Sequence, residues 1–287
     1  MNKKLPLKYL ILFSVAIVLL LVSTISGARA ALIESTEYVS DYEMYDIGIT
    51  LTENNKEVGQ RNYVEATRTW YEKNSPLLSN IPEDQFEVGK TYEEIYRVRN
   101  TGTIDDFIRV QVYKYWLVPV KDDKGNIISY KKDFNLDPTT IECTLNASGT
   151  NKDGWIFDGS DNGWIFDSKN STKERAVLYL EEKIPVYNSE TKSGETLPFM
   201  SKIKVNTSIK EFFTKTVKET HVEEKENKTY TSFIYEYAYD GSKFCLEIVA
   251  DGVQTHNAAD AIKSTWGTNV TVAKNADGEN YKLTLNE

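Results

Sequence analysis

From Phe107 to Val118 the chain alternates with a period of two. Phe107, Arg109, Gln111, Tyr113 and Tyr115 occupy one row, and Ile108, Val110, Val112 and Lys114 the other. That period belongs to a β-strand with one face turned to a core, because successive side chains of a strand point to opposite sides. The same signature recurs along the chain. Tyr45 to Thr52 puts Ile47, Ile49 and Leu51 on one face, and Tyr92 to Arg99 follows a turn at Val88-Gly89-Lys90. Further strands are expected at Ala176–Leu180, Lys183–Tyr187, Ile203–Ile209, Tyr230–Tyr239 and Phe244–Ala250, with a terminal one at Tyr281–Glu287. Turn chemistry separates them: Asn100-Thr101-Gly102 tolerates positive φ, and Asp122-Asp123-Lys124-Gly125-Asn126 leads into Ile127–Tyr130. Short strands at this spacing predict an all-β fold, a jelly-roll-like β-sandwich with a few short helices.

One helix interrupts the pattern. Asn257 precedes Ala258 to Trp266, Asp260 completes a capping-box-like pair, and Gly267 follows the last turn. Ala258, Ile262 and Trp266 then share a face, which the helix would lay against the sandwich.

The first 30 residues read as a cleaved N-terminal signal helix. Lys3, Lys4 and Lys8 precede an apolar run from Tyr9 to Val22, and Ala28-Arg29-Ala30 places small residues at −3 and −1 from a cut before Ala31. The run falls short of the roughly 20 apolar residues of a membrane span. The expected organisation is therefore a signal peptide, 1–30, and a sandwich domain, 31–287, exported and without a stable membrane anchor after cleavage. Without residues 1–30, 30 Lys+Arg face 43 Asp+Glu, and the formal charge moves from −9 to −13. A balance this acidic argues against nucleic acid as a partner.

Cys143 and Cys245 both sit in apolar, strand-like contexts. An exported pair can bridge, and two buried thiols are the alternative. Residues 151–170 hold a tandem duplication, in which Gly154-Trp155-Ile156-Phe157-Asp158 returns as Gly163-Trp164-Ile165-Phe166-Asp167. Two copies do not make a solenoid. Trp155 and Trp164 would form a contact patch if exposed; packed inside, the duplication would be structural.

Catalytic and cofactor motifs are not found. His221 and His256 are the only histidines and lack the paired helical spacing of a zinc protease; His221 falls in a charged stretch that reads as a loop or exposed helix. Asp158, Ser160, Asn162 and Gly163 match the opening of a calcium loop, but its twelfth position is Lys169 instead of Glu. Asp158, Asn162, His221 and His256 are thus weak metal candidates. No glycine-rich phosphate loop or G-x-S-x-G elbow occurs, so no catalytic residue or cofactor is assigned.

The junction at Ala28–Ala31 is followed in order by Asp46–Leu51, Val88–Tyr92, Val98–Gly102, Phe107–Val110, Leu197–Met200 and Asp251–Ile262 ending at Trp266-Gly267. In these segments the chain resembles the TasA/camelysin family of exported matrix proteins of Gram-positive bacteria. The resemblance implies a jelly-roll-like sandwich, processing by a SipW-type signal peptidase, and location in the extracellular matrix or at the cell surface. It implies fibres in which the N-terminal strand of one copy completes the sheet of the next, with an accessory matrix protein as a further partner. The donor would be 31–45, with Leu32, Ile33, Tyr38, Val39, Met44 and Tyr45 as its apolar residues. Camelysin-like relatives imply a metalloprotease as the alternative, and a monomeric adhesin using Trp155 and Trp164 is a second one.

The exported chain is expected to begin at Ala31. Intact-mass measurement of the secreted protein checks this, and a mass matching any other N-terminus would refute the cleavage site.

Overall fold

The computed structural model describes residues 47–64, 69–78, 81, 86–211, 213–223, 228–274 and 280–286. Residues 1–46, which hold the signal segment with Ala28, Ala30 and Ala31 and the donor residues Leu32, Ile33, Tyr38, Val39, Met44 and Tyr45, lie outside them. The chain divides into two units, Met1–Met44 and Tyr45–Glu287. All that follows belongs to the second unit.

The strands in chain order begin with β1 (Gly48–Glu53), β2 (Lys56–Val64), β3 (Thr69–Asn74), β4 (Thr91–Asn100) and β5 (Asp106–Lys121). Next come β6 (Ile127–Lys132), β7 (Ile141–Leu145), β8 (Trp155–Phe157), β9 (Trp164–Phe166), β10 (Arg175–Leu180) and β11 (Met200–Val205). The last are β12 (Phe213–Glu223), β13 (Lys228–Tyr237), β14 (Lys243–Gln254), β15 (Val270–Lys274) and β16 (Tyr281–Leu285), with helix α1 (Ala258–Trp266) between β14 and β15. Two sheets carry the fold. The first has seven strands in the order β3-β2-β1-β4-β11-β7-β8, and the second runs β14-β5-β10-β9 with β6 paired to β5. The architecture is an all-β sandwich.

The alternation seen in the sequence decides which side chains enter it. Ile108, Val110 and Val112 from β5 meet Tyr96 and Val98 from β4, and Ile141, Cys143 and Leu145 from β7, in one core between the sheets. Lys114 continues that inward row and is 0% exposed. Its ammonium donates to the carbonyls of Ile141 (2.6 Å) and Asp153 (2.8 Å) and lies 4.0 Å from the centre of the Trp155 ring. Burial pulls the ammonium down to about 8. A buried cation persists only where such partners replace water.

The outward row of β5 and β10 is covered as well. Phe107, Val177 and Tyr179 join Val253, Ala258, Ile262, Trp266, Val270 and Leu283 in a second core. Helix α1 therefore buries the predicted Ala258, Ile262 and Trp266. Trp266 packs 5.6 Å from Tyr179 and under the Arg109 guanidinium, which also pairs with Asp251 at 2.6 Å. The capping box does not form: Asn257 adopts φ 49°, and its side chain caps nothing. Gly267 does close the helix, with φ 70° and its N–H on the Lys263 carbonyl.

Two further differences from the sequence reading have local causes. Lys183–Tyr187 is no ladder strand; Ile184 makes an isolated bridge to Asp106, and Pro185 has no N–H to extend it. Ile203–Ile209 is divided, since β11 stops at Val205 and a 3-10 turn spans Thr207–Glu211. The β1–β2 hairpin turns on Asn54 and Asn55, both at positive φ, a two-residue connection whose twist suits paired strands.

The duplication supplies one edge strand to each sheet. β8 pairs parallel with β7 in the first sheet, and β9 pairs antiparallel with β10 in the second. Phe157 and Phe166 then meet edge to face at 4.9 Å across the gap. Each copy starts from a glycine at positive φ, 75° at Gly154 and 74° at Gly163. A Cβ at Gly154 would strike the carbonyl oxygens of Thr139 and Ile141 and the Lys114 ammonium, whereas at Gly163 it would meet only Leu180 Cδ1 at 4.0 Å.

Gly154→Ala should therefore destabilise by about 3 kcal/mol and Gly163→Ala by about 1 kcal/mol. Thermal unfolding followed by circular dichroism should show a Tm loss several-fold larger for Gly154→Ala. Equal losses would refute the steric role of Gly154.

Candidate functional site: an open seam beside an edge strand

The two sides of the sandwich end differently. On one side β8 and β9 close the gap. On the other, β14 is paired only with β5 among the described residues and lies over β1. β14 is long, 12 residues, and pairs with β5 from Lys243↔Leu117 to Gln254↔Asp106. Phe244, Leu246, Ile248 and Ala250 turn toward the inter-sheet core, while Cys245 stands across from Tyr115 on the outer face. The free edge of such a strand presents N–H and C=O groups without ladder partners.

Cavities run along this edge for its whole length. A central one of about 470 Å³ lies between Ile49, Leu51 and Val58 of the first sheet and Cys245 to Asp251 of β14, overhung by Asn74 to Leu77. Towards the end of β14 it adjoins a cavity of about 350 Å³ bounded by Ile47, Ile49, Gly252, Gln254 and Ala261. At the start of β14 an apolar cavity of about 670 Å³ is bounded by Leu77, Phe86, Trp116, Tyr239 and Phe244. Its aromatic wall is built from Trp116–Tyr239 (4.8 Å) and Phe86–Phe244 (5.0 Å) contacts. An unpaired strand beside an apolar groove is the receiving half of β-strand addition: backbone bonds hold the incoming strand, and alternate side chains fill the groove.

One buried acid stands at the Gln254 end. Asp106 is 0% exposed, and neither carboxylate oxygen has a hydrogen-bond partner. A Cβ on Gly252 would strike Ile49 Cδ1 at 2.8 Å and come within 3.3 Å of the Asp106 Oδ2, so the glycine leaves room for both side chains. Burial, aided by neighbouring Asp105, pushes the carboxyl up to about 7.

The residues singled out by sequence are dispersed. Trp155 and Trp164 are each 2% exposed, which overturns the exposed contact patch. Their indole N–H groups donate to the carbonyls of Thr172 (2.8 Å) and Leu197 (3.0 Å), and the rings fill the core where the sheets meet. Asp158 accepts from Ser160 and Asn146, while Asn162 turns away to donate to the Pro198 carbonyl, so the two do not converge as calcium ligands. His221 lies in β12, opposite Tyr230, in a strand instead of the expected loop or helix; Thr and Val recur through that segment. His256 is exposed in the turn before α1. Among the described residues, no group of three or more His, Cys, Asp or Glu could hold a metal ion, and no helix is long and apolar enough to cross a membrane. The cysteines are both free: Cys143 is in the first sheet with its thiol pushed up by burial to about 11, and Cys245 is in the second.

No protein-family model, curated protein or solved structure matches this chain.

The orphan carboxyl at Asp106 has a consequence for pH. The ordinary value of its carboxyl is 3.8, against about 7 in the fold. Between those values the folded state holds the extra proton, so stability falls as pH rises from about 4 to 7. Asp106→Asn should raise stability by about 2 kcal/mol at pH 8 and leave it near the parent's at pH 4. Thermal unfolding at both pH values checks this, and an equal change at the two would refute it.

Proposed function

We propose that this protein is a secreted structural component of an extracellular matrix, of the TasA/camelysin kind, that assembles into fibres by strand exchange between copies. The observation that carries the reading is the seam beside β14: a 12-residue strand paired on one side among the described residues, with adjoining cavities along it, the one at its start walled by aromatic side chains. A neighbour's strand satisfies the free backbone edge and removes the exposed apolar walls from water, which makes a structural role the best use of this site.

The N-terminal segment 31–45 is the natural donor. It carries Leu32, Ile33, Tyr38, Val39, Met44 and Tyr45 and precedes Ile47, which itself borders the seam. A signal-peptidase cut before Ala31 would free it from its leader. Head-to-tail exchange is heterologous, and a rotation that does not close gives a filament. The acidic charge supports solubility of the separate subunits through mutual repulsion.

Deleting residues 31–45 from the mature chain should leave a folded monomer by circular dichroism and size exclusion, and abolish fibres in negative-stain electron microscopy. Fibres in normal yield from that variant would overturn strand exchange.

A further inference from the structure

The cavity at the start of β14 is built differently from the other two. Those run along the strand. This one, about 670 Å³, is walled by β5, by the turn that leads into β14, by residues between β3 and β4, and by the end of β11 with the 3-10 turn after it. Segments of both sheets therefore surround it. Its volume falls within the roughly 300–1,000 Å³ of small-molecule sites, which are mostly apolar, largely preformed and furnished with few polar groups.

The walls are fixed from behind. Asp137 holds two of them: its carbonyl accepts from the Trp116 indole N–H (3.1 Å), and its own N–H donates to the Tyr239 hydroxyl (3.0 Å). Phe86 packs on Phe244 (5.0 Å) and stacks on Tyr92 (5.4 Å), whose hydroxyl accepts from the Glu87 N–H at 2.7 Å. At Leu78 the wall has a left-handed backbone, φ 63°, uncommon for a bulky residue. The Leu78 N–H donates to the buried Glu53 carboxylate (2.6 Å), which also accepts from the buried Tyr96 hydroxyl (2.6 Å). Such a backbone persists where its surroundings hold it, and it recurs at binding sites. Walls set in advance lose little freedom when a ligand enters.

Charge decides the class of ligand. Among the described residues that bound the cavity, Lys243 alone is charged. In the β5–β14 register Phe244 stands opposite Trp116, which faces the core, so Lys243, opposite Leu117, points to the outer face. Its ammonium lies there, 4.8 Å from the centre of the Tyr130 ring. One hydroxyl in the wall has no partner: the buried Ser242 Oγ. An ionic ligand would lose its hydration here with no opposite charge to replace it, whereas apolar surface gains from the same burial.

We infer that this cavity is a binding site for an uncharged, largely apolar small molecule whose single hydrogen-bonding group meets Ser242. The walls belong to one copy of the chain, so the ligand site and strand exchange stand or fall separately. The mature full-length chain, taken as the unassembled species from size exclusion, is titrated with N-phenylnaphthylamine, an uncharged probe whose fluorescence rises in apolar surroundings. Saturable binding of one probe per chain is expected, with dodecanol displacing it. Anilinonaphthalene sulfonate, which adds a negative charge to the same two ring systems, should bind about tenfold more weakly or worse. Ile209→Trp, which fills the cavity from the 3-10 turn, should weaken the uncharged probe by about tenfold or more while circular dichroism and Tm stay near the parent's; Val88→Phe takes its place if that variant does not fold. Ser242→Ala should weaken displacement by dodecanol several-fold, and unchanged displacement would remove the polar contact. No saturable binding, binding untouched by a folded filling variant, or equal affinity for the sulfonate would overturn the site.

Discussion

The sandwich depends on how its two open sides are treated. Two sheets stacked over one core must close both lateral gaps or leave a wet, apolar trench. On one side the gap is closed by the duplicated Gly-Trp-Ile-Phe-Asp segments, one strand to each sheet, held by the Phe157–Phe166 contact. Lys114 is the polar tie there: from the second sheet it reaches carbonyls of the first and covers Trp155. On the other side β14 has no such companion among the described residues. That asymmetry concentrates the functional interest of the molecule in a single seam.

A third layer lies on the outer face of the second sheet. α1 and the β15–β16 hairpin cover the outer face of the second sheet through Trp266, Ile262 and Leu283. Arg109 links this layer to the sheet by pairing with Asp251 of β14 while lying over Trp266. Among the described residues, β14 is thus tied on its outer face and towards β5, and its other edge is unpaired. In the proposed exchange, a strand held this way loses little conformational freedom on accepting a partner, which favours a defined register.

Much of this was legible in the sequence, though unevenly. The inward row Ile108, Val110, Val112 and Lys114 is what alternation predicts, and Lys114 was placed on it although a lone lysine in a core is unusual. Helix α1 and its buried face were legible from spacing and from Gly267. The Asn54-Asn55 turn was not among those expected, although both residues tolerate positive φ. The cap at Asn257 failed because that residue adopts a left-handed conformation, in which its side chain caps nothing. The exposed reading of Trp155 and Trp164 failed because a short local pattern cannot tell an edge hairpin from two edge strands of different sheets.

The sequence by itself determined the element types, since strand and helix periods are properties of neighbouring residues. It also determined the turns that need glycine or asparagine. Only the tertiary structure decided which strands pair, that the duplication closes one side, and that β14 has no second ladder partner among the described residues. Pairing joins residues far apart in the chain, such as Asp106 with Gln254. The energy that selects it comes from burial between sheets, which no local pattern records.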